Sequence, residues 1–166
     1  MKQLTTRVVE HLNSTEPPWV ATLGPRDWER VGALFVLSGN FHVFHVNGAQ
    51  CKTKSSMFTE FGKRLGFPSY FGRNWDAFEE CIRDLEWLPA RGYILVITCA
   101  DKLLSRNRKD FEIFVDIMNA AGAEWSSRSV ENLAHPGTPF HVILLAPARS
   151  ARARQWKVPR LQQALA

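Results

Sequence analysis

The stretch Gly66-Phe-Pro-Ser-Tyr-Phe-Gly-Arg-Asn-Trp-Asp-Ala-Phe-Glu-Glu-Cys-Ile-Arg-Asp-Leu-Glu-Trp-Leu-Pro89 joins a turn, a helix start and the densest acidic cluster of the chain. The turn falls at residues 67–72, where Pro68 fixes one φ and Gly72 permits a conformation that other residues resist. Asn74 is placed to cap a helix by accepting a hydrogen bond from a first-turn N–H. Asp76 falls in that first turn, where the helix dipole favours an anion. Trp75, Phe78, Ile82 and Leu85 recur at helical spacing and form one apolar stripe, with Asp76, Glu79, Glu80 and Arg83 on the other side. Residues 76–86 carry Asp76, Glu79, Glu80, Asp84 and Glu86 against Arg83 alone. Charges opposite an apolar stripe commonly do no more than solvate a helix. Like charges one turn apart repel, however, and stability alone would mix the signs. The pattern is compatible with a solvated face and with a binding face.

Outward from this helix the chain alternates between strand and helix signals. Residues 41–46 read as a strand, rich in β-branched and aromatic side chains, and Asn47-Gly48 ends it. Ser55 or Ser56 is expected to cap a helix through Met57, Phe58, Phe61 and Leu65, closed by Gly66. Pro89 and Gly92 bound the exit from the acidic helix. Residues 93–98, Tyr-Ile-Leu-Val-Ile-Thr, form a continuous apolar run, the mark of a strand buried on both faces. Residues 101–108 read as a polar, basic connection. Asp110 is expected to cap the next helix, with Phe111, Phe114, Ile117, Met118, Ala121 and Trp125 as its core stripe. Residues 126–139 read as loop and 140–145 as a strand that Pro147 ends. Strand, two helices, strand, helix, strand implies parallel, right-handed crossovers. The expected fold is α/β, a small three-stranded parallel sheet packed with helices.

Before this unit, residues 4–12 suit a helix through Leu4, Val8 and Leu12, which residues 13–18 break. Residues 19–23 are a short apolar piece, and Gly24-Pro25 turns the chain. Asp27 then suits a cap for a helix carrying Trp28, Val31, Leu34, Phe35 and Leu37, ended by Gly39. A second reading makes residues 34–37 a strand, with Gly39-Asn40 as a tight turn. The expected organisation is an N-terminal extension packed on the core (1–40), a central domain (41–146) and a basic C-terminal tail (147–166).

A length of 166 residues suits one domain. A hydrophobic content of 45% with 22% charged residues is that of a soluble globular protein. No apolar run reaches the roughly 20 residues that span a bilayer. The start Met-Lys-Gln-Leu-Thr-Thr-Arg lacks the apolar core of a signal peptide, so a cytoplasmic protein without a membrane partner is expected. Cys51, Cys81 and Cys99 show no tight spacing and suit small buried hydrophobes. The histidines (His11, His42, His45, His135, His141) lack ligand spacing, and no metal is expected. His42 and His45 fall on opposite faces of their strand. No phosphate-binding glycine loop, Gly-x-Ser-x-Gly or His-Glu-x-x-His occurs. The carboxylates of the acidic helix have no histidine beside them in sequence to complete acid–base machinery. Neither catalysis nor a cofactor is expected. The net charge of +5 is a property of the end of the chain. Arg149, Arg152, Arg154, Lys157 and Arg160 fall in a C-terminal stretch without acid, so residues 1–148 are neutral and the acidic helix stands out from a neutral body.

The run Phe-Pro-x-Tyr-Phe-Gly-x-Asn-Trp-Asp-Ala-Phe at residues 67–78 resembles the signature of the barstar family, the bacterial ribonuclease inhibitors. Looser agreement extends over about residues 41–146, and the resemblance implies the same α/β architecture. It also implies that a loop and the helix after it block a basic ribonuclease site by mimicking phosphate, since carboxylate–guanidinium contacts are strong and directional. By resemblance, Tyr70 is the loop tyrosine that packs on the enzyme, Gly72 and Asn74 belong to the contacting loop, and Asp76 is the first interfacial aspartate. Glu80 stands at the central aspartate, Glu79 at an interfacial tryptophan and Arg73 at an acid. On the later helix Glu124 stands at a peripheral acidic contact and Ala120 where another acid would be. With Arg83 and Asp84 on the same helix, and without Ala120, these residues make the expected partner-binding set. The implied partner is a cognate ribonuclease or toxin nuclease, met by a monomer in a 1:1 complex without direct nucleic-acid contact, as in a toxin–antitoxin immunity pair. Two further readings stay open. One is a barstar-like module regulating a non-nuclease partner. The other is a nucleic-acid binder using the basic tail around Trp156, whose attraction would be salt-sensitive and unspecific.

Overall fold

A computed structural model describes residues 2–128, 137–147 and 149–166. The expected loop thus falls partly outside the described residues, and so does His135. The order of elements is α1 (Lys2–Leu12), β1 (Val20–Leu23), α2 (Pro25–Ser38), β2 (Phe41–Asn47), α3 (Lys54–Leu65), α4 (Trp75–Asp84), β3 (Gly92–Thr98), α5 (Arg108–Ser127), β4 (Phe140–Leu145) and α6 (Leu161–Ala164). The sheet has four strands in the order β1-β4-β3-β2, where the sequence led us to expect three. All pairings are parallel. The fourth strand is the short apolar piece, in register with β4 from Val20↔Val142 to Leu23↔Leu145. With only four residues it carries no periodicity of its own, and its partner lies far along the chain, so only tertiary pairing reveals it.

Handedness places the helices. The connections β2→β3→β4 step one way across the sheet, and right-handed crossovers put α3, α4 and α5 on one face. The connection β1→β2 steps the other way, so α2 lands on the opposite face, beside α1 and α6. Alternation along β3 serves both layers. Tyr93, Leu95 and Ile97 join the cluster of α3, α4 and α5, while Ile94 and Val96 join that of α1 and α2. The expectation that β3 is buried on both faces holds, with residues 92–97 all buried. His42 stacks near Phe44 and Tyr93 while His45 approaches Trp28, so the two histidines do take opposite faces.

Several helix starts differ from the local reading. Residues 34–37 are helical, ended by Gly39 at φ 65°. The start of α2 is set by Pro25 after Gly24 rather than by Asp27, whose Oδ2 instead accepts a 2.6 Å bond from Gln162 Nε2. Thr53 caps α3 with Ser56 returning the bond, a reciprocal pair in which Ser56 is the third helical residue and not the cap. Asn107 caps α5 in place of Asp110, which falls in the first turn. The connection read as polar buries Leu103 and Leu104. Cys51 and Cys81 are buried, but Cys99 is exposed at a left-handed backbone position, φ 46°. Gly48 is required sterically, because a Cβ there would lie 2.6 Å from the Cys99 carbonyl oxygen.

The basic C-terminal residues are docked. Arg152 reaches in to donate to the carbonyls of Asp101, Leu103 and Leu104 at 2.7–3.2 Å. Trp156 stacks on Phe111 at 4.9 Å, Leu161 is fully buried, and Thr22 N–H donates to the Pro159 carbonyl at 2.8 Å. Among the described residues no helix is long and apolar enough to cross a membrane, and no group of three or more His, Cys, Asp or Glu could hold a metal.

Candidate functional site

The acidic helix is α4, and its apolar stripe anchors it. Phe78, Ile82 and Leu85 are buried and Trp75 is half-buried against Phe58, with ring centroids 5.2 Å apart. Asn74 caps the helix as expected, its Oδ1 accepting from Ala77 N–H at 2.8 Å. Asn74→Ala is expected to cost about 1 kcal/mol, read as a shifted urea midpoint with unchanged slope.

The loop before α4 is held by aromatic contacts. Phe71 packs edge-on against Phe67 at 4.9 Å and Phe58 at 5.8 Å. Trp87, after the helix, donates Nε1–H to the Leu65 carbonyl at 2.9 Å and so ties the exit of α4 to the end of α3. Gly72 does not carry the special conformation expected of it. The left-handed residue is Arg73, at φ 52°, and its guanidinium turns back to the Thr59 hydroxyl of α3. Gly72 is exposed, and a Cβ there would meet Asn74 Nδ2 at 3.2 Å, tight but at a movable side chain.

The expected partner-binding residues divide into two sets. One is an ion-pair chain between α4 and α5. Arg83 lies 2.7 Å from Glu79 Oε1 and 3.1 Å from Glu124 Oε2, and Arg128 lies 2.8 Å from Glu124 Oε1. Arg128 also donates to the Arg83 carbonyl and stacks on Trp125, its guanidinium carbon 3.9 Å from a ring centroid. Trp125 Nε1 in turn donates to the Ile82 carbonyl at 3.1 Å. The alternating charges compensate one another and fix α5 to the last turn of α4. Sequence reasoning placed Trp125 in the core stripe but missed Arg128; the spacing of Glu124 and Arg128, one helical turn, is the signal that was available.

The other set is unpaired. Asp76, Glu80 and Asp84 follow at four-residue spacing and make no ion pair among the described residues; Asp76 and Glu80 are exposed and Asp84 is half-buried. Tyr70 stands beside them in sequence with 76% of its surface exposed. The outer side of α4 is thus less acidic than the raw count implies, with its free charge concentrated at Asp76 and Glu80. A groove of about 560 Å³ lies between α5 and the tail, lined by Phe111, Val115, Asp116, Asn119, Trp156 and Lys157 among others. None of the expected partner-binding residues lines it. The candidate site is thus an exposed face of α4 and its loop, apart from this groove.

No curated protein matches the sequence. A family model described as barstar, the barnase inhibitor, matches residues 41–144, from the first residue of β2 into β4. The match takes in the loop, α4 and Glu124, while α1, β1, α2 and α6 lie outside it. On a match over more than half its length, the chain belongs to the barstar family.

Proposed function

We propose that the chain is an inhibitor that blocks the active site of a ribonuclease or toxin nuclease, an immunity protein that uses α4 and its loop as a phosphate mimic. One observation carries this reading: Asp76 and Glu80 stand exposed and unpaired one turn apart, beside the exposed Tyr70, on a helix whose Glu79 and Arg83 are paired with each other and whose unpaired Asp84 is only half-exposed. A nuclease site that grips phosphate presents Arg, Lys and His, and free carboxylates on a rigid helix offer those groups charge-assisted bonds without chemistry to hydrolyse. Tyr70 supplies a large apolar contact with a polar tip, the type of side chain that dominates interface energies. In this reading Arg83 and Glu124 hold the helix, and one nuclease binds per chain, inside the cell, where an enzyme lethal to its producer must be caught.

The test is the double charge reversal Asp76→Lys with Glu80→Lys, measured by calorimetric titration against a nuclease that the unaltered chain binds. Both side chains are exposed, so the far-ultraviolet circular dichroism stays unchanged while affinity falls by about 100-fold or more. Equal affinity of the folded variant would remove α4 as the docking surface. A second reading, a regulator of a non-nuclease partner, draws on Arg73 and on the neutralised Glu79, which make the surface less purely anionic. It predicts that every ribonuclease tested is left uninhibited.

A further inference from the structure

We propose that the outer edge of β2 is an interface with a second copy of this chain. The sheet has two ends, and the fold treats them differently. At β1 the chain's own C-terminal segment covers the edge: Thr22 donates to the Pro159 carbonyl through N–H at 2.8 Å and through Oγ1 at 3.3 Å, and Thr22 bridges to Arg160. At the other end β2 pairs, among the described residues, with β3 alone. Its register runs unbroken from Phe41↔Gly92 to Asn47↔Thr98, so no bulge bends the edge away.

An open edge is a template for pairing, and proteins that leave one free blunt it with charge, proline or a bulge. The β2 sequence, Phe-His-Val-Phe-His-Val-Asn, contains no charged residue and no proline. Phe41, His42, Val43 and Phe44 stay only half-buried, and His45 is exposed. Next to this strand, α2 exposes Leu34 at 51% and Val36 at 62%, and the Phe35 ring meets Phe41 at 5.2 Å. Apolar side chains at least partly exposed thus occur on α2 as well as on β2, and α2 lies outside the family match.

The pattern favours a second copy as occupant because the strand complements itself. A two-fold contact sets the same patch against itself, so any charge near the axis would repel its image. Antiparallel pairing of two β2 strands about Phe44 sets Phe44 on Phe44 of the second copy, Val43 on His45 and His42 on Val46. Each pair then lies on one face of a continuous sheet, with no Asp, Glu, Lys or Arg in any of them. The contact uses none of the partner-binding residues and replaces the monomer expected from sequence.

Sedimentation velocity of the full chain over a concentration series reaching the sub-millimolar range tests this. The mass should rise from 18.9 kDa towards twice that value, while amide exchange of β2 slows in parallel. His45→Asp places a charge on an exposed position opposite Val43, and Phe44→Lys places like charges on the axis. Each variant that keeps its circular dichroism should stay at the monomer mass across the series. His45→Asp carries the test where Phe44→Lys fails to fold. A wild-type chain monomeric at every concentration overturns the proposal and leaves the edge to an extended segment of some other protein. A dimer that persists unchanged in folded His45→Asp overturns it as well.

Discussion

Phe78→Ala is expected to lower the free energy of unfolding by about 4 kcal/mol, a large share of the 5–15 kcal/mol typical of a domain. Phe78 is fully buried and sits where the loop and three helices meet. Its ring centroid lies 5.6 Å from Phe58 and 5.3 Å from Phe61 on α3, 6.0 Å from Phe67 in the loop and 6.3 Å from Phe114 on α5. Aromatic rings held in tilted and edge-to-face contacts by their neighbours are poorly able to collapse into the space a lost ring leaves, so the cavity cost adds to the transfer cost. Urea denaturation at neutral pH measures the loss. Ile113→Ala, at a position 38% exposed on α5, is the comparison and should stay within about 0.5 kcal/mol of wild type. A loss for Phe78→Ala below about 1.5 kcal/mol would mean that the cluster repacks and does not fix α4.

Acidification should destabilise the protein where β4 meets the segment at and after α1. His141 on β4 is fully buried, with its Nε2–H donating to the Ser14 carbonyl at 2.8 Å. Its Nδ1 is buried without a partner among the described residues, so a second proton there would have no acceptor. Burial, with a smaller contribution from His11 4.8 Å away, pushes the imidazole from 6.5 down to about 4. His11 donates to the Pro18 carbonyl and is also lowered, chiefly by burial, though that carbonyl and Glu16 oppose the shift.

The sign follows from the depressed native values. Above pH 6.5 both states are neutral at these positions and stability is independent of their titration. As pH falls from 6.5 towards 4 the unfolded chain takes up protons that the native state refuses, and stability is lost. The His141 shift alone corresponds to about 3 kcal/mol over that window, and His11 adds in the same direction. Between pH 6.5 and about 5, before carboxylates titrate, the unfolding free energy of wild type should fall, and His141→Leu should show a clearly shallower slope. A flat wild-type profile in that range would show that the histidines are hydrated in the native state.

How far the sequence discloses this molecule depends on whether the determining contacts are local. The acidic helix, its Asn74 cap, the closing Gly66 and the doubly buried β3 follow from spacing and capping chemistry, and each is found where expected. Val20–Leu23 becomes a strand only because Val142–Leu145 lies beside it, a pairing with no trace in either segment alone. The basic tail reads as a solvated or loosely docked end, and only the structure shows Arg152 inserted among the carbonyls after β3. The site divides in the same way. Membership of Asp76, Glu79, Glu80 and Arg83 in one face follows from helical periodicity, whereas the neutralisation of Glu79 depends on Arg83, which α5 positions through Glu124. That distinction, between carboxylates that are free and those already satisfied, is a property of packing between helices.

The most direct measurement of the central claim is RNA hydrolysis by a panel of basic ribonucleases, barnase among them, with the chain added in molar excess. The account predicts that hydrolysis by at least one enzyme of the panel is suppressed in a stoichiometric, salt-sensitive manner, and that the Asp76→Lys, Glu80→Lys variant leaves the same enzyme active. Full hydrolysis by every enzyme at saturating chain, or equal suppression by the folded variant, would contradict it.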